Sequence, residues 1–128
     1  MKLGVLTVVL SQMELEKAMK YLADSGVQMV EIGCGGFPGK AHCDPEILLN
    51  DDSKLEAFKN AIYGNGLEIS ALSCHGNPVH PNKEIAKKFH DDFINTILLA
   101  EKLGVDEWHA ELLPEKGKGV TYAKSIVI

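Results

Sequence analysis

The sequence predicts an α/β protein built on a parallel sheet, and three observations support this fold class. A glycine followed by an aliphatic and a polar residue recurs at Gly26, Gly66 and Gly104, at spacings of 40 and 38 residues. A repeat of this length is typical of one strand–helix unit. Short apolar runs also alternate with longer stretches whose apolar residues recur every three or four positions. Strands that alternate with helices in this way form parallel sheets with right-handed crossovers.

Composition and charge narrow the functional classes. The chain has 128 residues, of which 45% are hydrophobic and 24% charged, as expected for one soluble globular domain or part of one. The net charge of −5 disfavours binding to nucleic acid or to an anionic membrane, because both need a basic surface. No apolar run approaches the roughly 18 residues that span a bilayer. Three cysteines without a CxxC spacing argue against a disulfide framework, so we expect a cytoplasmic protein.

The first strand–helix unit is predicted from residues 2–26. Lys2–Leu10 is an apolar, β-branched-rich run, the pattern of a strand buried on both faces. A helix with one apolar stripe is predicted to begin at Ser11 or Gln12 and to end at Gly26.

The second unit begins with a predicted strand over Val27–Ile32, which carries Glu31 near its end. A loop with four glycines follows over Gly33–Gly39, but it lacks the patterns of dinucleotide-binding and phosphate-binding loops. Asp44 and Pro45 predict a helix start, as N-cap and first helical residue. A longer helix is predicted from about 53 to 63.

The third unit consists of a strand, a polar loop and a long helix. The strand begins at Leu67, and polar residues follow from Ser73 to Pro81. The long helix is predicted from Asn82 or Lys83 to about Leu103, and a fourth strand is expected to begin near residue 105. The predicted buried stripe of this helix consists of Ile85, Phe89, Phe93, Ile97, Leu98 and Ala100. Four charged residues lie largely outside this stripe: Lys87, Lys88, Asp91 and Asp92.

Two of the polar loops are predicted to meet at one edge of the sheet. The carboxyl ends of parallel strands lie together, and ligands of α/β folds bind there. Six side chains in or next to these loops are therefore candidate ligand contacts: Glu31, Phe37, His42, His75, Asn77 and His80. Asn-Pro and His-Pro pairs also simply shape turns, which weakens the prediction for Asn77 and His80.

The same loops carry cysteines, which leaves a zinc site open as an alternative. Its ligands would come from Cys34, His42, Cys43, Cys74 and His75. The spacing matches no zinc-binding motif, and cysteines that pack as small apolar residues are commoner. We therefore assign no metal ligand in this chain.

The joined motifs resemble the N-terminal part of the sugar phosphate isomerase/epimerase family, which has the xylose isomerase-like TIM barrel fold. The resemblance covers about residues 1–106 and lies in four segments. These are Val30-Glu31-Ile32-Gly33, Gly35-Gly36-Phe37-Pro38-Gly39, His42-Cys43-Asp44-Pro45 and Ser73-Cys74-His75-Gly76-Asn77-Pro78 with His80-Pro81.

The resemblance implies a barrel whose open face binds a sugar or sugar-like substrate. It also implies a divalent metal (Mn, Mg, Zn or Co), which the family holds through carboxylates and histidines of later strands. The metal would polarise oxygens while acidic groups move a proton between adjacent carbons. Glu31 matches a position that commonly faces the substrate. His75 matches a position that contacts substrate, or a metal in the DNA-repair endonuclease branch of the superfamily.

The chain departs from the family pattern in its extent. A complete barrel has eight units and about 250 residues, whereas this sequence supplies three units and the beginning of a fourth. We therefore predict an incomplete TIM barrel over residues 1–106 and a divergent C-terminal tail over 107–128, as a truncated or frame-shifted reading frame would produce. The expected function is metal-assisted isomerisation or epimerisation of a sugar or sugar phosphate, with little or no activity in this chain alone.

Two alternatives to an isomerase stay open. The first is a metal-dependent, endonuclease-like hydrolase of the same superfamily, against which the acidic net charge argues. The second is a non-catalytic α/β module that forms a homodimer and covers its open sheet, since exposed strand edges favour association.

Overall fold

The computed structural model describes residues 1–106 and the backbone of residues 108–109. Four strands and four α-helices follow one another in the order β1, α1, β2, α2, α3, β3, α4, β4. Their bounds are Gly4–Leu6 (β1), Leu15–Asp24 (α1), Met29–Gly36 (β2), Pro45–Asn50 (α2), Asp52–Tyr63 (α3), Glu68–His75 (β3), Lys83–Leu103 (α4) and Trp108–His109 (β4).

The four strands form one sheet in the order β1-β2-β3-β4, and every neighbouring pair is parallel. Glu31 of β2 is in register with Leu6 of β1 and Ala71 of β3. β4 pairs with the middle of β3, where Leu72 lies opposite Trp108. The predicted parallel α/β fold is confirmed as a partial barrel whose sheet is not closed.

The helix starts follow the capping chemistry of the sequence. The Asp44 side chain accepts a hydrogen bond from the backbone N–H of Glu46, and Pro45 is the first residue of α2, as predicted. Asn82 caps α4 by accepting bonds from two backbone N–H groups of its first turn. Because these caps satisfy backbone donors that the helix leaves unpaired, both starts were predictable from local sequence.

The first strand is shorter than predicted. Only Gly4–Leu6 pairs with β2, and Thr7–Leu10 forms a 3₁₀ turn. The backbone N–H of Ser11 donates to the Val8 carbonyl, so the chain bends away from the sheet directly after the strand. Within this turn Thr7 is buried and Leu10 packs against the core, whereas Val9 is exposed. Helix α1 consequently begins at Leu15, three or four residues later than predicted.

β2 and β3 both extend further than predicted and run into the residues expected to form loops. β2 continues to Gly36, which is in register with His75 at the end of β3. The two strands pair over this length with irregularities after Val30 and after Gly33. The first half of the predicted glycine loop is therefore strand, and Glu31 lies in the middle of β2 rather than near its end.

The buried face of α4 differs from the predicted stripe. It consists of Asp92, Thr96, Leu99 and Ala100, whereas Ile85, Ile97 and Leu98 are exposed. Three residues of the predicted stripe are closer to the observed face, because Ala100 is buried and Phe89 and Phe93 are half-buried. The prediction failed because it assumed that the aliphatic residues of α4 face the sheet. The face that contacts the sheet instead carries two polar residues four positions apart, Asp92 and Thr96.

The core lies between the sheet and the helices. Val30 and Ile32 of β2 and Leu72 of β3 are fully buried there, together with Met19 of α1 and Ile62 of α3. The strand residues that alternate with these, including Glu31, face the other side of the sheet, which in a closed barrel is the interior.

Two further observations concern the chain as a whole. No helix within residues 1–106 is long and apolar enough to cross a membrane. Apart from the backbone of Trp108 and His109, the predicted tail over 107–128 lies outside the described residues. The predicted domain boundary at residue 106 therefore stays a prediction.

Candidate functional site

Glu31 lies on the inner face of the sheet, at the centre of β2. Its neighbours Val30 and Ile32 are fully buried on the helix side, so the alternation of the strand turns the Glu31 carboxylate to the opposite face. Glu31 is half-buried, and it lies level with Leu6 on the neighbouring strand β1 and with Ala71 on the neighbouring strand β3. A carboxylate in this place can accept hydrogen bonds from hydroxyl groups that enter the inner face.

His75 shares this face with Glu31. Ala71, Ser73 and His75 alternate along β3, and Ala71 is level with Glu31. His75 therefore lies about 13 Å further along the strands, since each strand residue advances about 3.3 Å. The two predicted contacts belong to one face but to different depths, with Glu31 inside and half-buried His75 at the carboxyl edge.

Ser73 lies between these two levels and was absent from the predicted site. It is fully buried, and its hydroxyl group donates to the Ile32 carbonyl over 3.4 Å. Its position could have been found in the sequence, because it lies two residues before His75 in a strand and must therefore share its face.

Residues 37–44 form the β2 loop, which contains two of the predicted ligand contacts, Phe37 and His42. The first is exposed and the second is buried. Phe37 is exposed, and its ring centroid lies 5.4 Å from that of Phe89 on α4. The Phe37 N–H donates to the His75 carbonyl over 2.7 Å, which joins the ends of β2 and β3. The Phe37 ring is thus available at the edge as an apolar wall.

His42 is buried, in contrast to Phe37. Its Nε2 lies 2.9 Å from the Met13 carbonyl, to which it donates, so this nitrogen carries the proton. The ring lines a small cavity with Gly33 and Thr7, and it also borders a groove of about 280 Å³ between α1, α2 and α3. Its hydrogen bond gives His42 a role in holding the loop to the start of α1, whatever its contact with ligand.

The segment 76–82 is the β3 loop, and its two candidates take part in turns. The Asn77 side-chain oxygen accepts from the Val79 N–H over 3.2 Å, and its carbonyl accepts from the His80 N–H over 3.1 Å. The Nδ1 atom of His80 accepts from the Asn82 N–H over 2.9 Å. Both residues therefore shape the connection into α4, and neither lies on the strand face that carries Glu31.

The cysteines of these loops are buried thiols. The Sγ atoms of Cys34 and Cys43 lie 3.3 Å apart, and all three cysteines are free. Burial raises the pKa of Cys34 well above its usual range, and its contact with Cys43 raises it further. Burial also raises the pKa of Cys74 to about 12, although a hydrogen bond with Thr96 opposes this effect. The thiols of Cys34 and Cys74 are therefore protonated at neutral pH and unsuited to nucleophilic attack.

The divalent metal that the family resemblance implies needs several donor side chains around one ion. Within residues 1–106 no three histidine, cysteine, aspartate or glutamate side chains are placed to hold one ion. Glu31 and His75 lie at different depths of this face, with their backbones about 13 Å apart along the strands. The described residues therefore do not fit a metal centre by themselves, and no step through a metal is derived for them.

Asp92 is a buried carboxylate that the sequence prediction placed outside the buried stripe. One oxygen accepts from the Gly36 N–H over 3.1 Å, and the other lies 2.8 Å from Nζ of Lys40. Burial by itself lowers the pKa of Lys40, but the hydrogen bond and the charge of Asp92 outweigh it, with smaller contributions from Asp44 and Glu46, so this pKa is raised. The signal was present in the sequence, because Asp92 lies three residues after Phe89 and four before Thr96 on one helical face.

The fold and the strand-end residues define a class: a βα-barrel segment that presents polar side chains at the carboxyl edge of its sheet. Within this class the chain belongs to the xylose isomerase-like TIM barrel family, whose sequence profile matches residues 19–126. The family includes isomerases, epimerases and endonucleases. The resemblance stated from the sequence motifs is therefore confirmed at the level of the fold family.

A curated relative extends this comparison. The uncharacterized protein YfiH of Bacillus subtilis (strain 168) is 31% identical over 105 residues, which are 82% of this chain and 33% of YfiH. The chain thus spans about a third of the length of the relative that it matches.

Proposed function

We propose that this chain forms the substrate-facing first part of a sugar or sugar-phosphate isomerase or epimerase. The observation that carries the proposal is the inner face of β2 and β3, where Glu31, Ser73 and His75 follow one another from the middle of the sheet to its carboxyl edge. A carboxylate and an imidazole on one face can bond the hydroxyl and carbonyl oxygens of a sugar, while Ser73 between them is buried and bonded to the Ile32 carbonyl. The family contains isomerases and epimerases, which supports the reaction class.

In this proposal the residues of this chain bind and orient the substrate. Glu31 accepts hydrogen bonds from sugar hydroxyl groups inside the barrel, and His75 contacts the substrate at the mouth. Phe37 supplies an apolar wall, and Asn77, His80 and His42 set the shape of the edge. The divalent metal is proposed to be Mn, Mg, Zn or Co. It would be held by ligands on other strands of a complete barrel and would polarise the reacting oxygens. We therefore expect little or no turnover by the 128-residue chain.

Sugar binding can be tested separately from turnover. We would titrate the isotope-labelled 128-residue chain with D-xylose, D-fructose and ribose 5-phosphate and follow the backbone amide signals. Shifts at Glu31, Ser73 and His75 that weaken in Glu31→Gln and His75→Asn would support the proposal. Glu68→Gln is a matched control, because Glu68 is an exposed carboxylate at the opposite end of β3, where it pairs with Lys2.

The outcome that contradicts the proposal is equally defined. Absence of shifts with all three sugars, or equal effects of Glu31→Gln and Glu68→Gln, would remove the support for a sugar site on this face. Incubation with sugar and Mn²⁺ or Mg²⁺ in D₂O tests the second expectation. Interconversion of aldose and ketose, or deuterium at the carbon next to the carbonyl, would contradict the expected inactivity of this chain.

A homodimer that covers the open sheet is a further part of the proposal. The edge strand β1 carries exposed Leu6, and Leu3 beside it is also exposed. Size-exclusion chromatography with light scattering tests the assembly: a dimer would support mutual covering, and a monodisperse monomer would contradict it. A salt-sensitive DNA-binding assay on the same preparation distinguishes the endonuclease-like alternative, which requires phosphate contacts.

A further inference from the structure

Helix α4 contacts the ends of both β2 and β3 through one helical face. Asp92 reaches the backbone of Gly36 and the side chain of Lys40, as described above. Phe89, one turn earlier, lies directly over Gly76, where an added Cβ atom would be 2.2 Å from the ring. The same ring contacts Phe37. One face of α4 therefore holds the residues that leave both strands.

The backbone of β2 is adapted to the Asp92 carboxylate. Gly35 has a φ of +151°, and a Cβ atom placed there would lie 3.0 Å from the carboxyl carbon of Asp92. Asp92 itself is 6% exposed, and its charge is balanced by Lys40, whose side chain is 28% exposed. A buried carboxylate that loses its cation is strongly unfavourable, so the pair resists separation.

We propose that Asp92 is a positioning residue, which fixes the β2 loop at the carboxyl edge through Gly36 and Lys40. The Gly36 bond sets where the strand ends, and the Lys40 pair anchors the middle of the loop. Phe37 lies between these two anchors, and His42 lies two residues after Lys40. Asp92 therefore positions both candidates together with the bonds from Phe37 to His75 and from His42 to Met13. The contacts above support the role of Asp92 in ordering the β2 loop. The importance of this order for substrate binding rests on the proposed function.

A neighbouring residue of the same helix provides a matched control. Asp91 also pairs with a lysine, Lys87, but this pair is exposed and lies within the helix. Asp92→Asn and Asp91→Asn thus remove the same charge at adjacent positions, and only the first change affects the β2 loop. Lys40→Met removes the positive charge that pairs with Asp92. Lys40→Arg keeps a positive charge and hydrogen-bond donors at this position.

The experiment is amide hydrogen exchange of the 128-residue chain by NMR without any ligand. We expect Asp92→Asn and Lys40→Met to speed exchange at Gly36 and Phe37 about tenfold or more relative to the core amides of Ile32 and Leu72. Asp91→Asn should change these ratios by less than about twofold, and Lys40→Arg should restore them to near the wild-type values. A merely structural role would raise exchange in the loop and in the core alike.

The result that overturns the proposal is an unchanged ratio in Lys40→Met, or equal ratios in Asp92→Asn and Asp91→Asn. If Asp92→Asn does not fold, Lys40→Met and Lys40→Arg decide the question alone, because they change a side chain at the solvent edge. The D-xylose titration of the wild-type chain separates the two proposals. Absence of binding contradicts the sugar site, while the exchange ratios still decide whether Asp92 positions the loop.

Discussion

The β2 loop and the β3 loop lie side by side at the carboxyl edge, yet they are held in opposite ways. The β2 loop depends on partners far away in sequence: Lys40 pairs with Asp92, and His42 donates to the Met13 carbonyl. The β3 loop is held mainly by bonds between residues two or three apart, from Asn77 to Val79 and His80 and from His80 to Asn82.

This difference determines when each loop can form. Local turns of the β3 loop can form as soon as the segment folds, because their partners are already adjacent. The β2 loop has a local bond from Gly39 to Gly36 and a local pair of Lys40 with Asp44, but its contacts with Asp92 and Met13 exist only when α1, α4 and the sheet have assembled around it. A change in the β2 loop should therefore affect the whole domain. A change at residues 77–82 of the β3 loop should remain local, although Gly76 itself packs against Phe89 of α4.

Gly36→Ala should have the largest effect among the changes that test this comparison. Gly36 has a φ of +62°, and an added Cβ atom would lie 1.8 Å from the backbone carbonyl oxygen of His75. Since neither backbone can yield without breaking the pairing of β2 with β3, we expect a loss of about 4 kcal/mol or failure to fold. Urea unfolding followed by circular dichroism measures this free energy.

Gly39→Ala separates the clash at Gly36 from backbone strain alone. Gly39 lies in the β2 loop with a φ of +74°, but nothing lies within 4 Å of an added Cβ atom. Its replacement should therefore cost only the left-handed conformation, about 1–2 kcal/mol. Equal losses for the two variants would show that the contact between the strand ends is unimportant.

His42→Ala should destabilise the domain by about 2 kcal/mol, because it leaves a cavity and an unpaired Met13 carbonyl. His80→Ala, the matched change in the β3 loop, should cost less than His42→Ala, because His80 is less buried than His42 and its bond to Asn82 joins residues only two apart. Thermal unfolding of both variants checks the contrast. A larger loss for His80→Ala would reverse the comparison between the loops.

The same contrast explains which features could be predicted from the sequence. The cap at Asp44, the start of α4 at Asn82 or Lys83 and its end at Gly104 depend on neighbouring residues, and the structure confirms them. The parallel order of the strands followed from the repeat. The extent of the first strand was predicted wrongly, because only Gly4–Leu6 pairs with β2 and Thr7–Leu10 forms a 3₁₀ turn.

The candidate site divides along the same line. The topology predicted that Glu31 and His75 meet at the carboxyl edge, whereas the structure places only His75 there and Glu31 in the middle of β2; this difference follows from the strand lengths and the register between β2 and β3, which no local pattern contains. The burial of Asp92 was missed because a charged residue in a helix is usually solvated. It becomes favourable only through Lys40 and the Gly36 N–H, which belong to another segment of the chain.

The pair of Lys40 and Asp92 gives the β2 loop a dependence on pH. The pKa of folded Lys40 is raised above its ordinary value of 10.5, so the protonated amine is favoured in the folded state. Its stabilisation is therefore fully present below pH 10.5 and is lost as the pH rises through the raised pKa. Lys40→Met should cost about 1 kcal/mol near neutral pH and progressively less at alkaline pH.

Urea unfolding of wild type and Lys40→Met at about pH 7, 9 and 11.5 measures this dependence, because other alkaline titrations cancel in the difference. Lys87→Met is the control, since Lys87 pairs with an exposed aspartate on its own helix. A difference between wild type and Lys40→Met that stays constant up to the highest pH would show that the charge of Lys40 does not hold the loop.

Asn77→Ala should have the smallest effect, about 0.5 kcal/mol, because it removes one exposed side-chain bond to the Val79 N–H and leaves the backbone bond from His80 in place. Asn82→Ala, which removes the cap of α4 in the same loop, should cost about 1 kcal/mol and provides the scale. Amide exchange should rise in Asn77→Ala only between Val79 and Asn82, with Gly36 and Phe37 unaffected. Faster exchange at Gly36 in Asn77→Ala would mean that the two loops are coupled across the carboxyl edge, and the contrast between a locally held and a distantly held loop would no longer apply.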